Sequence, residues 1–412
     1  MDKTKILWLS DSSATTTGFA TITRNVLNRL TDKGYVCRQI CHNYLGQTLK
    51  PPIVFEDGEK INFYLHGTGM AKYSMDTITR TIRKYKIDIF GGLLDTFMLQ
   101  EAGFLSIDTS PAKTFWYYPS DGGGCLPRGC ENILRKVQMP IAMSKFAAIQ
   151  AKKLYDINSE YIPHAYDKKI FYPLSLEAKK KLREAWALQG KFIVGTVARN
   201  QGRKMLDRTV KAFAIFCRDK PDAVLLMHCD PRDPAQVFGL QELIARYGIQ
   251  NRVLFTGASL YDPFGYKKMN EVYNLMDVFF LSTSGEGFGI PIVEAMGCGI
   301  PQVVTDYTTT RELIHDEIVT GLMVPLAGEG EQESPHPHCN EVLDGTITGS
   351  WDVERGIMSI YQAVDKLNKL YCSEEQRHLL SVNSVVKAKR FYSWEKVMPL
   401  WHKALKKLEE YS

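Results

Sequence analysis

The strongest constraint on the fold of this chain is an alternation of short apolar runs with helical periods, and it occurs twice. A first series opens with "KILWLSD", a buried-strand pattern, and passes into "FATITRNVLNRLTDKG", a helix pattern that stops at Gly34. "YVCRQICH", "MDTITRTIRKYK", "DIFGGLLD", "KTFWYYPSDGGG", "MPIAMSK" and "FAAIQAKKLYD" extend it. Apolar strands alternating with helices argue for a parallel sheet covered on both faces. The rhythm breaks at "DKKIFYPLSLEAKKKLREAWALQG", which reads as a linker and a charged helix. A second series starts at "KFIVGTVARN" and runs through "AVLLMHCD", "RVLFTG", "DVFFLSTS", "PQVVTDY" and "GLMVPL". The prediction is an α/β protein with two doubly wound, Rossmann-like domains, residues 1–170 and 188–392, facing each other across a cleft lined by strand C-termini. Residues 393–412 read as an amphipathic helix with two tryptophans, and residues 327–350 as a polar, Gly- and Pro-rich surface loop.

Composition narrows the class. The 412 residues are 44% hydrophobic and 24% charged, ordinary for a globular protein. A net charge of +5 is too small to argue for nucleic acid by itself, and suits a phosphorylated ligand or an anionic membrane surface equally well. Nine scattered cysteines form no C-x-x-C pair and predict free thiols in a reducing cytoplasm. The apolar run near the N-terminus spans four residues, too short for a signal peptide, and no run of 18 apolar residues predicts a transmembrane span. Peripheral membrane contact stays open.

The chemistry concentrates in "STSGEGFGIPIVEAMGCGIPQVV", Ser282 to Val304. A strand should end near Ser282, and Gly285, Gly287 and Gly289 then allow a sharp turn and close approach of a ligand. Pro291 suits the first turn of a helix that stops at Gly299. The N-terminus of such a helix attracts anions, phosphate above all. Glu286 on the loop and Glu294 in the helix stand eight apart. Carboxylates repel phosphate and accept hydrogen bonds from hydroxyls, so a ligand with both a pyrophosphate and hydroxyl-rich rings fits: a nucleotide-sugar. A solvated loop glutamate and a helix-capping one are the plainer alternative. "VARNQGRKM" adds Arg199 and Lys204 at the C-terminal end of the second domain's first strand, where they would face the same cleft. Surface charge explains either of them alone, and the pair in this position less well.

Glu286–x7–Glu294, taken with Arg199 and Lys204, resembles the retaining glycosyltransferases of family 4, which have the GT-B fold. "YIPHAYDKKIFYP", "RVLFTG", "YNLMDVFFLSTS", "TDYTTTRELI" and "FYSWEKVMPLW" resemble successive landmarks of that family, the last being a terminal helix that crosses back onto the first domain. The resemblance implies that Arg199 and Lys204 hold the donor diphosphate, Glu286 the sugar hydroxyls and Glu294 the ribose. It implies that Phe288, Gly289 and Ile290 offer backbone to phosphate and sugar. Gly18, in "SSATTTGFATI", would approach the phosphates from the first domain, and Glu312 resembles the family's acidic residue after the following strand. Three departures stand out. Where many members have a histidine near the reacting sugar, this chain has Ser120 and Asp121, so Asp121 is the substitute candidate. Paired glycines after the first strand are reduced to Gly18, and those before Glu312 are replaced by Thr308 and Thr309.

The expected reaction is transfer of a sugar from a nucleotide-diphosphate sugar, a UDP-sugar and first of all UDP-glucose, to an acceptor that the sequence does not identify. A glycolipid, a polysaccharide, a protein and a modified DNA base all qualify. No D-x-D motif occurs, so no metal and no cofactor beyond the co-substrate is expected; Arg199 and Lys204 would stabilise the leaving phosphate. The resemblance implies retention of configuration. Lacking a nucleophilic carboxylate, the chain suits front-face transfer, in which the leaving phosphate takes the acceptor's proton. The alternatives are an epimerase or phosphorylase on the same scaffold, or a non-catalytic nucleic-acid-binding module using basic faces such as Lys152–Lys153, Lys168–Lys169 and Lys179–Lys181. His336, His338 and Cys339 form a weak zinc pattern, and His164 reads as a packed or cleft-lining residue as readily as a catalytic one.

Overall fold

A computed structural model describes residues 3–15, 17–55, 59–68, 75–234, 236–259, 264–327, 342–343 and 353–411. The chain divides into two compact units. The first comprises residues 1–120, 126–164 and 395–412; the second comprises 121–125 and 165–394. The chain therefore passes between units at His164–Ala165, ahead of the expected 170, and residues 121–125 cluster with the second unit although the strand before them belongs to the first. His336, His338 and Cys339 lie outside the described residues, as does most of the 327–350 segment.

In the first unit, β1 (Lys5–Ser10), β2 (Val36–Cys41), β5 (Tyr64–Gly67), β6 (Ile89–Leu93), β7 (Lys113–Tyr118), β8 (Met139–Ala142) and β9 (Glu160–Tyr161) form one sheet in the order β5-β2-β1-β6-β7-β8-β9. Its pairings are parallel, with Leu9 opposite Ile40 on one side and Gly92 on the other. A small antiparallel ladder, β3 (Ile53–Val54) with β4 (Lys60–Ile61), stands apart from the sheet. The helix Gly18–Asp32 starts where the Thr17 hydroxyl accepts a hydrogen bond from Ala20 N–H, and it ends before Gly34, whose φ of 97° only glycine adopts without cost. Ile22, Val26, Leu27 and Leu30 recur at helical spacing and are buried.

The terminal helix Trp394–Glu409 packs into this same unit through Trp401, which is fully buried. Its ring meets Tyr117, Trp8 and Phe115 at centroid distances of 4.9, 5.4 and 6.0 Å. Lys407 to Glu160 at 2.5 Å and Tyr35 to His402 at 2.9 Å fasten its outer turns. Aromatic contacts of this kind add to the area they bury. The sequence resemblance implied that the last helix returns to the first domain, and these contacts are its physical basis.

The second unit holds a six-stranded parallel sheet: β10 (Phe192–Val197), β11 (Ala223–His228), β12 (Val253–Phe255), β13 (Val278–Leu281), β14 (Gln302–Thr305) and β15 (Gly321–Val324), in the order β12-β11-β10-β13-β14-β15. The order reverses between β10 and β13. In an open parallel sheet the loops beyond the strand C-termini at such a reversal splay apart and leave a crevice for ligands. "ARNQGRKM" and "STSGEGFG" are those two loops.

Replacing Trp401 by Ala removes the anchor of the terminal helix and leaves a cavity among Trp8, Phe115 and Tyr117. The expected loss is about 3–5 kcal/mol, measured as a lowered denaturant midpoint. A midpoint equal to that of the wild type contradicts this account of the helix.

Candidate functional site

Both loops at the strand reversal are shaped by side chains that serve the backbone. Past Leu281 the chain leaves the sheet, and Ser282, Thr283 and Ser284 turn their hydroxyls onto the carbonyls of residues 203–205. Ser282 Oγ donates to Met205 O at 2.6 Å, Thr283 Oγ1 to Arg203 O at 3.2 Å and Ser284 Oγ to the same oxygen at 3.0 Å. Ser284 N–H adds a bond to Arg203 O at 2.7 Å. Asn200 is fully buried and holds the other end of its loop, donating to Phe238 O at 2.7 Å. Backbone carbonyls beyond a strand end need such partners once they leave the ladder.

This clamp brings charged side chains into an alternating row. Lys204 Nζ lies 2.5 Å from Glu286 Oε1, and Arg203 Nη1 lies 3.2 Å from Glu286 Oε2. Arg203 Nε faces Asp121 Oδ2 at 3.7 Å, and Asp121 is held in turn by Arg355, which donates to its carbonyl at 2.5 Å and to Oδ2 at 3.3 Å. Glu286, Lys204 and Arg355 are buried. Burial alone would raise the Glu286 pKa, but the Lys204 ammonium and then the Arg203 guanidinium outweigh it and bring the carboxyl down to about 2. Burial, reinforced by Arg203, pushes Lys204 down to about 8 despite Glu286. Gly285 packs against the carbonyl oxygen of Asp121, and a Cβ there would overlap it. The segment 121–125 is further tied by reciprocal backbone bonds between Gly123 and Glu354 at 3.0 and 3.1 Å.

Arg199, paired with Lys204 in the sequence reading, turns instead toward Asp233. Nε and Nη2 donate to its two carboxylate oxygens at 2.6 and 3.2 Å, and this bidentate bond raises the arginine pKa. The guanidinium keeps an exposed face, with 45% of the side chain accessible, while Asp233 is buried. Arg203, which the sequence reading did not single out, stands beside Lys204 on the Glu286 carboxylate.

Glu294 lies in the second turn of the helix Ile290–Gly297, where its carboxylate accepts from Tyr273 Oη at 2.7 Å. Burial raises its pKa to about 7, which the bond from Tyr273 offsets only in part. Gly289 caps this helix with φ of 100°, and a Cβ there would meet Ile292 Cδ1 and Leu313 Cδ1 at 3.0 Å. Pro291 occupies the first turn as expected. Phe288 is buried, 6.0 Å from the Tyr392 ring. Glu312 is buried in the short helix Thr310–Ile314, its carbonyl taking a bond from Lys387 Nζ at 3.1 Å. Gly18 begins the first helix of the first unit, while Asp121, Arg199, Lys204, Glu286, Phe288, Gly289, Ile290, Glu294 and Glu312 all belong to the second.

Thr308 and Thr309 replace glycines of the resembling family, and the structure shows what they do instead. Thr308 has φ of 54°, a left-handed conformation that costs a residue with a Cβ roughly 1–2 kcal/mol. Its hydroxyl accepts from Glu286 N–H at 3.0 Å and lies 3.3 Å from Glu286 O. Thr309 Oγ1 lies 2.9 Å from Glu286 O and 3.1 Å from Phe288 O.

The sequence reading missed Arg203, Asp233, Tyr273 and Arg355. The adjacent "RK" of "GRKM" was a signal for Arg203, since two neighbouring cations beside a candidate anion site deserve equal weight. Arg355 carries no local signal, lying 234 residues from Asp121. Among the described residues no group of three His, Cys, Asp or Glu side chains is arranged to hold a metal ion, and no helix is long and apolar enough to cross a membrane.

Residues 178–329 match the family model described as Glycosyl transferases group 1. A stretch of 186 residues is 30% identical to the lipopolysaccharide core biosynthesis mannosyltransferase LpsB of Rhizobium meliloti (strain 1021), covering 44% of this chain and 49% of that protein. The chain spans half or less of the length of the curated relatives it matches first. Two solved structures share the whole architecture. Sucrose-phosphate synthase from Thermosynechococcus elongatus has a TM-score of 0.74 at 17% identity, covering 98% of this chain and 99% of that one. Anabaena Alr3699/HepE in complex with UDP-glucose has a TM-score of 0.67 at 16% identity, covering 99% and 100%. The fold is GT-B, with two Rossmann-like domains.

The raised pKa of Glu294 has a measurable sign. A folded-state pKa of about 7 against an ordinary 4.5 means that the folded protein holds the proton longer than the unfolded chain. Stability from this group is full below 4.5 and is lost as pH rises through about 7. Glu294→Gln stays neutral and can still accept from Tyr273. The variant should therefore melt above the wild type at pH ~8, with the gap narrowing toward pH ~5. A gap independent of pH contradicts the assignment.

Proposed function

We propose that the protein is a retaining, metal-independent glycosyltransferase that moves a sugar from a nucleotide-diphosphate sugar to an acceptor. The observation that carries this reading is the cluster of Lys204, Arg203 and Glu286 on the two loops flanking the strand reversal, inside the segment that matches Glycosyl transferases group 1. A reversal of a parallel sheet is where such folds take ligands, and cations there suit a diphosphate.

In this reading the donor diphosphate engages Lys204, Arg203 and the exposed face of Arg199. The N-terminus of the helix that begins at Ile290 adds its own positive field. Glu286 then accepts from sugar hydroxyls, Glu294 from the ribose, and the backbone of Phe288, Gly289 and Ile290 lines the path between them. Asp121 stands beside Arg203 and completes the sugar end. The acceptor oxygen bonds the anomeric carbon on the face where the bond to the nucleoside diphosphate breaks, and the leaving phosphate takes the acceptor's proton, so no carboxylate nucleophile is needed. A UDP-sugar is the first donor to test, with UDP-glucose ahead of the others; the UDP-glucose complex of the Anabaena structure supports that order, and the mannosyltransferase name of LpsB puts a nucleotide-linked mannose next. The first unit would receive the acceptor, a glycolipid, a polysaccharide, a protein or a modified DNA base, and its Gly18 would approach the donor phosphates. A cytoplasmic location with peripheral membrane contact belongs to the same proposal.

A thermal-shift panel of UDP-, GDP- and ADP-sugars should show stabilisation by one base class, and the preferred sugar nucleotide should be turned over. Lys204→Met and Arg203→Met should each lower kcat by roughly 10²–10³ with that donor. No stabilisation by any member of the panel refutes the donor reading. Turnover should also be unchanged by EDTA, and a loss of activity restored by a divalent cation refutes metal independence.

A further inference from the structure

Glu286 lies past the end of β13, where no neighbouring strand among the described residues serves its backbone. Its amide hydrogen and its carbonyl are met instead by side chains from the loop after β14. Thr308 Oγ1 is 3.0 Å from Glu286 N and 3.3 Å from Glu286 O, and Thr309 Oγ1 is 2.9 Å from the same carbonyl. Thr309 also reaches Phe288 O at 3.1 Å, so the pair spans residues 286–288. Both threonines are buried, with relative exposures of 5% and 0%. Thr310 continues the pattern inward, bonding Thr305 O and Tyr307 O at 2.5 and 2.7 Å, and so stiffens the loop that carries the other two.

The backbone of Thr308 is the second, independent observation. Its φ of 54° is a region where glycine is at ease and a β-branched residue is strained. Glycine at 308 would remove the strain and also the hydroxyl. Strain of this kind persists where the surroundings over-determine it, and it gathers at working sites. Here the strained residue makes its bonds to the backbone of the carboxylate that Lys204 and Arg203 grip from the other side. The carboxylate is thus held at both ends, by cations at its oxygens and by threonine hydroxyls at its main chain.

We propose that Thr308 and Thr309 are positioning residues that set the Glu286 carboxylate for recognition of the donor sugar. The proposal rests on the donor reading of the preceding subsection. It separates two parts of one ligand: the threonines govern the sugar end, through Glu286, and leave the diphosphate end to Lys204 and Arg203. A merely structural pair would weaken both ends alike.

The test uses the full chain with Thr308→Gly, Thr308→Ser, Thr309→Val and Thr309→Ser. Amide hydrogen exchange at Glu286 reads the clamp without any substrate, and should be protected in the wild type and in both serine variants and faster in Thr308→Gly. With the donor that the wild type uses, Thr308→Gly and Thr309→Val should lower kcat/KM by about tenfold, the equivalent of one lost hydrogen bond. Binding of the matching nucleoside diphosphate should stay at the wild-type value, and the serine variants should recover activity. Unchanged exchange in Thr308→Gly overturns the proposal. So does a parallel loss of nucleoside diphosphate binding, or serine variants as impaired as the others. A wild type that binds no nucleoside diphosphate refutes the donor reading instead, and the exchange measurement then judges the clamp alone.

Discussion

The buried ion pair of Lys204 and Glu286 ties the two loops of the second unit on which the candidate site is built. It joins the loop after β10 to the loop after β13, across the reversal of the sheet. Taking two charges out of water costs several kcal/mol per ion, and attraction repays that only when the geometry is good. Here the oxygens of one carboxylate are shared between an ammonium at 2.5 Å and a guanidinium at 3.2 Å. Apolar residues of similar volume would hold two loops together as well or better. A buried pair at this place therefore argues for a use beyond stability, and the proposed phosphorylated, hydroxyl-rich donor would supply one.

Around this pair the loops are built from hydroxyls rather than from secondary structure. Ser282, Thr283 and Ser284 hold the carbonyls of residues 203–205, and Thr308 and Thr309 hold the backbone of residues 286–288. Serine and threonine do this well because one short side chain both donates and accepts. The arrangement satisfies the main chain of both loops with hydroxyls, so their charged side chains are not needed to hold the backbone. Asp121 and Asp233 complete it by balancing Arg355, Arg203 and Arg199.

Much of the architecture was legible because its signals are local. The apolar strands of both series, the stops at Gly34 and Gly299 and the helix entry at Pro291 each follow from backbone preferences of a few residues. Glu286 and Lys204 were legible for a related reason: each sits on a loop that immediately follows a recognisable strand. The partners were not. Arg199 and Arg203 are both arginines on one short loop, and only the folded chain shows that Arg203, in the 3₁₀ turn Gly202–Lys204, is the one that reaches Glu286. Asp233, which takes Arg199, lies beyond a different strand. The threonines at 308 and 309 read as departures from a pattern; their bonds to Glu286 bridge 22 and 23 residues.

The amino-acid order alone specified the two α/β units, the terminal helix, and Glu286 and Lys204 on loops after strands with Glu294 in the helix that follows, because periodicity, glycine and proline act over a few residues. Which cation stands beside Glu286, why residues 121–125 cluster with the second unit, and what two threonines do in place of glycines became visible in three dimensions. Those outcomes turn on burial and on contacts between segments far apart in the chain. A charge or hydroxyl in an extended sequence has no environment, and its partner and its pKa are properties of the folded neighbourhood.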